Sequence, residues 1–155
     1  INACSDYIKD FVVMLYETGA RYSELAELQH SNVDLYNRKL TFVDTKNGDD
    51  RTIPINERAL AILKRYRFGK TVFNIDYQKF YEHFCKARHS VELDYFHAHD
   101  LRACWCTNAI LSGMSLPEVS ALSGHKSWSM LRRYTRIKPE DLEEKVNKIV
   151  WIESK

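Results

Sequence analysis

The 155-residue chain has only five glycines and three prolines. It shows no internal repeat, no low-complexity tract and no flexible linker, so a disordered or multi-domain layout is not expected. It has no apolar run long enough to span a bilayer and no signal-peptide pattern, so no membrane partner is expected. Its formal net charge is only +2, so no bulk charge excess marks it as a nucleic-acid binder. The four cysteines, Cys4, Cys85, Cys104 and Cys106, include no C-x-x-C pair, which argues against a zinc knuckle or a redox motif. They read as reduced thiols of an intracellular protein. The chain opens on Ile1 rather than methionine and reads as a piece of a longer protein.

What is present is one ordinary domain's worth of chain. Hydrophobic residues make up 45% of it, enough to bury a core without disulfides or a structural metal. The charge is unevenly spread. Lys126, Arg132, Arg133, Arg136 and Lys138 form a basic run with no acidic residue among them, and Glu140, Asp141, Glu143 and Glu144 follow at once. A basic run by itself fits a solvated helix face as well as a nucleic-acid contact.

Periodicity divides the chain. Ile8, Phe11, Val12 and Leu15 repeat at i, i+3, i+4, i+7, the mark of a helix with one buried face, with Ser5 as its cap and Thr18-Gly19 as its stop. A short helix follows, with Ser23 near its start and Leu25 and Leu28 inward. The period then changes to that of strands, around Val33 to Leu35, Leu40 to Val43 and Arg51 to Ile55, with a hairpin signal at Asn47-Gly48. Pro54 places its strand at an edge or ends it there. Helices are predicted at about Glu57 to Tyr66, Asp76 to His89, Asp100 to Leu111, Leu116 to Leu122 and Pro139 to Val150. Ser115 and Glu118 have capping-box spacing, and Gly113 and Ser123-Gly124 are stops. The expected fold is α+β: mainly α-helical, with a small three-stranded antiparallel sheet near the N-terminus.

Four stretches stand out on this map: Thr18-Gly19-Ala20-Arg21-Tyr22-Ser23-Glu24-Leu25; Thr45-Lys46-Asn47-Gly48; His99-Asp100-Leu101-Arg102; and Leu122-Ser123-Gly124-His125 with Tyr134 nine positions on. Singly, each has an ordinary reading. Arg21 suits an ion pair with Glu24, Lys46 a solvated turn, His125 a loop hydrogen bond, and Tyr134 is one of nine tyrosines. His99 and Arg102 share a helix face by their spacing.

Together they suit phosphodiester chemistry. A pentacoordinate phosphorus carries extra negative charge on its non-bridging oxygens. Arginine stays protonated and its planar fork matches two such oxygens. Preorganised cations aimed at that charge are usually a large catalytic contribution. A tyrosine oxygen attacks phosphorus once its proton is taken, histidine is an acceptor, and lysine can protonate a departing sugar oxygen. With guanidinium groups supplying the charge, no cofactor or metal is called for.

The five elements, in this order, resemble the catalytic domain of the tyrosine recombinase (phage integrase) family, over nearly the whole chain. That family shows an arginine in a T-G-x-R-x-S-E-L segment, a lysine at a β-hairpin, an H-x-L-R box, a G-H pair and a tyrosine about nine residues later. The resemblance implies that Arg21 and Arg102 clamp the phosphate. It implies Lys46 as general acid for the 5′-hydroxyl, His99 as acid/base partner and His125 as a hydrogen-bond partner of the scissile phosphate. Tyr134 becomes the nucleophile that forms a 3′-phosphotyrosine, and Glu24 a buried support. Lys126, Arg132, Arg133 and Arg136 are candidate DNA contacts. It further implies double-stranded DNA as partner, a homo-tetramer on DNA through the C-terminal helix, a cytoplasmic bacterial setting and an N-terminal domain outside this single catalytic domain (1–155). Ala103, Lys126 and Arg136 depart from residues common in the family without removing a catalytic element.

Three rival readings stay open. A type IB topoisomerase or telomere resolvase uses a similar residue set. A catalytically silent DNA-binding module would keep the fold. A metal enzyme built on His97, His99 and His125 lacks a matching carboxylate pattern such as H-E-x-x-H.

Overall fold

A computed structural model describes residues 1–43, 50–131 and 146–147. The first helix, α1 (Asp6–Thr18), is the hub of the core. Ile8, Phe11, Val12 and Leu15 are all buried, as their spacing requires, but so are Val13 and Met14. One stripe is too narrow a description because α3, α4 and α5 all pack on α1. Phe11 lies edge-on to Tyr22, Phe73 and Phe80, with ring centroids 5.2 to 5.5 Å apart. Gly19 closes α1 in the left-handed conformation, its N–H donating to Leu15 O. Ser5 does precede the helix, but its hydroxyl makes no cap bond and pairs with His83 Nδ1 at 2.7 Å.

Helix α2 (Tyr22–Ala26) follows, then a 3-10 turn (His30–Asn32). The sheet is antiparallel in the order β1 (Val33–Asp34), β2 (Lys39–Phe42), β3 (Arg51–Pro54). Leu40 pairs with Ile53 and Phe42 with Arg51, and all four of these side chains are buried. Thr41 and Thr52 pair on the other face, their hydroxyls 2.9 Å apart. Pro54 ends an edge strand, as expected. The Asn47-Gly48 turn lies outside the described residues.

Helix α3 (Glu57–Leu63) is capped by Asn56 and stops three residues short of the sequence expectation. The N–H groups of Arg65 and Tyr66 donate three residues back, to Ile62 and Leu63, which tightens the last turn out of α-geometry. Helix α4 (Tyr77–His89) is capped by the Asp76 side chain on Lys79 N–H. Helix α5 (Ala98–Leu111) begins two residues early, because Asp100 acts from the third helical position and accepts the His97 N–H at 2.7 Å. Helix α6 (Leu116–Ser123) has the expected capping box from Ser115 and Glu118. A short helix α7 (Trp128–Leu131), which periodicity does not announce, places Leu131 in a second small core with Cys106, Ala109 and Val119. The predicted Pro139–Val150 helix lies outside the described residues except for Val146 and Asn147. The four cysteines are free thiols.

Candidate active site

The site is assembled where the C-terminal end of α1, the start of α2, strand β3, helix α5 and the end of α6 meet. Its centre is the carboxylate of Glu24. Arg21 is the residue just before α2, and Glu24 sits at that helix's third position, where its Oε2 accepts the Arg21 N–H at 2.8 Å. Oε1 accepts Arg21 Nη1 at 2.6 Å. From the sheet, Arg51 closes a two-pronged pair on the same carboxylate, Nη1 to Oε1 at 3.0 Å and Nη2 to Oε2 at 2.8 Å. Burial pushes the Glu24 carboxyl up, but the bonds from Arg51 and Arg21 outweigh it and hold it at about 2. Glu24 is therefore ionised at neutral pH.

Arg102 enters from α5 and is only 2% exposed. The α1 stop holds it: Nη1 donates to Gly19 O at 2.7 Å. Desolvation, and then the nearby Arg21 charge, lower its pKa to about 10. It remains a cation at neutral pH, but one held against both burial and a neighbouring positive charge. Its Nη2 lies 3.4 Å from His125 Nδ1. Ser123 Oγ lies 2.6 Å from the same nitrogen, so these two neighbours set the ring's orientation. The His125 backbone is tied back to α6, its N–H donating to Ser120 O and its carbonyl accepting the Ser120 hydroxyl.

The glycines at the two stops have a steric reason. At Gly19 (φ 61°) a Cβ would come within 2.6 Å of the Trp105 ring. At Gly124 (φ 72°) a Cβ would come within 2.2 Å of Arg51 Nη1. Gly124 thus lets Arg51 lie against the backbone, while its carbonyl accepts Arg21 Nη2 at 3.2 Å.

The fold therefore brings Arg21, Arg102 and His125 together, as the sequence suggests. His99 lies in the first turn of α5, one turn before Arg102. It is exposed beside an aromatic pocket of about 260 Å³ lined by Tyr22, Tyr77, Tyr81 and Phe80, among others. Lys126 is exposed next to His125. Lys46, Arg132, Arg133, Tyr134 and Arg136 lie outside the described residues. Among the described residues no cluster of His, Cys, Asp or Glu is placed to hold a metal ion.

Sequence reasoning missed Arg51. The signal was there: Arg51 has the same parity as Ile53 in an alternating strand whose Arg51 and Ile53 face inward and whose Thr52 and Pro54 face out. An arginine on the core face of a strand needs a buried anion, and Glu24 is that anion.

Three guanidinium groups around one carboxylate leave two positive charges in excess inside a helical fold, the kind of site that receives an anionic group. Comparison with known proteins gives the class. The sequence model of the phage integrase family matches residues 1–141, and the chain belongs to that family. It is 29% identical over 153 residues to the shufflon-specific DNA recombinase of Escherichia coli, covering 92% of this chain and 40% of that protein. It is 26% identical over 147 residues to tyrosine recombinase XerA of Saccharolobus solfataricus, covering 92% of this chain and 50% of that one. The chain thus spans half or less of the length of these relatives. Among solved structures, the catalytic domain of bacteriophage HP1 integrase superposes with a TM-score of 0.75 at 26% identity, covering 95% of this chain and 87% of that domain.

Proposed function

We propose that this chain is the catalytic part of a site-specific DNA recombinase that breaks and rejoins strands through a 3′-phosphotyrosine on Tyr134. The observation that carries the reading is the excess of positive charge at one place: Arg102 Nη2 lies against His125 and Arg21 Nη2 against the carbonyl of the adjacent Gly124, with Glu24 and Arg51 behind them. Family membership supplies the class of reaction.

In the reaction, the Tyr134 oxygen attacks the scissile phosphorus and gives up its proton to a base, the role assigned to His99. The phosphorus–5′-oxygen bond breaks, and Lys46 protonates the departing oxygen. Arg21, Arg102 and His125 bind the non-bridging oxygens, whose charge grows on the way to the five-coordinate state. A 5′-hydroxyl of another strand then attacks the phosphotyrosine, regenerating the phenol. Phosphodiester number is conserved, so the cycle needs no external energy source. Lys126, Arg132, Arg133 and Arg136 are assigned to the DNA backbone. The complete protein is assigned a further DNA-binding domain and a tetrameric assembly on paired sites, made through its C-terminal helix.

The test uses the full-length protein and a nicked suicide duplex drawn from the DNA bordering its gene. Wild type is expected to form a denaturation-resistant protein–DNA adduct, and Tyr134→Phe to form none while binding the duplex normally. An adduct that persists in the Phe variant removes Tyr134 as nucleophile. Relaxation of supercoiled plasmid with no strand exchange points instead to a topoisomerase.

A further inference from the structure

We propose that Arg51 is a positioning residue of the phosphate clamp, holding Glu24 so that Arg21 is oriented but not neutralised. This inference rests on the recombinase reading above. Arg51 is anchored in β3 and reaches two other elements. Its fork takes both oxygens of Glu24 on α2, and its Nη1 lies against Gly124 at the end of α6. Its guanidinium carbon lies 4.9 Å from the centre of the Phe42 ring, the residue it pairs with across the sheet.

Stability alone does not explain such a residue. A buried ion pair is often no better than a packed apolar pair of the same volume, since both ions must be stripped of water. Here the cost is visible, because Arg51 Nε is buried with no hydrogen-bond partner among the described residues. What the arrangement does provide is a division of labour on Glu24. Among the described residues, the charged groups facing that carboxylate are Arg21 from the start of its own helix, Arg51 from β3 and Arg102 from α5. Arg51 takes one contact on each oxygen, so Arg21 spends a single Nη1 there and turns Nη2 towards Gly124. Remove Arg51, and of those groups Arg21 is the one whose side chain still hydrogen-bonds the carboxylate. The Arg21 fork then closes on Glu24 with both nitrogens, which cancels its charge and draws it off the phosphate.

The consequence is a rate effect, not an affinity effect. In the full-length protein, with the same nicked duplex as probe, Arg51→Met is expected to slow single-turnover cleavage by about tenfold or more while duplex affinity stays within about twofold. Arg51→Lys keeps a cation facing Glu24 and is expected to fall between Met and wild type. The decisive variant is the double change Arg51→Met with Glu24→Gln: a neutral amide does not capture Arg21, so the double variant cleaves faster than Arg51→Met alone. A purely structural role predicts the opposite, a second loss added to the first. Melting curves check folding, and if the Met variant does not fold, the Lys variant decides by the same rate-against-affinity comparison. Wild-type cleavage rates in the Arg51 variants, losses of rate that match losses of affinity, or additive losses in the double variant overturn the inference and leave the recombinase reading intact. No adduct from wild type removes that reading and the inference with it.

Discussion

Glu24 accepts four hydrogen bonds from two arginines in a site where it is almost fully buried. Its carboxyl is depressed from 4.5 to about 2 on folding. A depressed carboxyl stabilises the fold above its unfolded value and loses that contribution as pH falls toward the folded value. Unfolding free energy is therefore expected to drop between about pH 4.5 and pH 2, by roughly 3 kcal/mol from this group. Glu24→Gln should cost about 3–5 kcal/mol at pH 7, since it leaves two guanidinium groups without their anion. It should also flatten the acid limb in urea titrations at a series of pH values. A variant as stable as wild type at pH 7 would show that the pair contributes nothing. Arg21 and Arg102, the proposed phosphate clamp, call for a different measurement. Arg21→Lys and Arg102→Lys keep the charge and lose the fork, so cleavage is expected to fall by orders of magnitude, about a hundredfold or more, with non-specific DNA binding little changed. Equal losses in both would reduce these residues to anchors.

At the scale of elements, the stops matter as much as the helices. Gly19 and Gly124 each hold a left-handed turn against a side chain from elsewhere, Trp105 and Arg51. Gly124→Ala combines a backbone penalty of about 1–2 kcal/mol with displacement of Arg51. The melting temperature is expected to fall by about 4 °C or more, measured calorimetrically; an unchanged value would mean the guanidinium moves aside at no cost. These elements also show how far sequence reasoning reached. Helix periodicity, cap residues and the alternating strands located α1, α4, α6 and the sheet, because each of those signals is local. The start of α5 was placed two residues late, because Asp100 caps from inside the helix rather than in front of it. Helix α7 was passed over, being too short for a period. Arg21, Arg102 and His125 were legible as a motif, and the fold brings them together. The inward side of Arg51 is legible from its parity with Ile53, but its partner is not, since Glu24 lies 27 positions away and only tertiary structure joins them.

At the scale of the whole molecule, the chain spans half or less of the length of the relatives named above. Its net charge of only +2 predicts weak duplex binding by this chain alone, dominated by phosphate contacts. Binding is then expected to weaken steeply with salt, each released counterion adding about one to the log–log slope. A titration by fluorescence anisotropy between about 50 and 200 mM salt checks it, and tight, salt-insensitive, sequence-specific binding would contradict the division into catalytic and DNA-gripping parts.

The proposed covalent bond between DNA and Tyr134 is read directly by mass spectrometry. The full-length protein is trapped on the nicked suicide duplex, digested with trypsin and nuclease, and its peptides are searched for a nucleotide adduct. The peptide that contains Tyr134 is expected to carry a 3′-linked nucleotide on the phenol oxygen, and no other tyrosine is expected to be modified. A nucleotide on any other residue, or none on any peptide from a preparation that cleaves the duplex, would contradict the account.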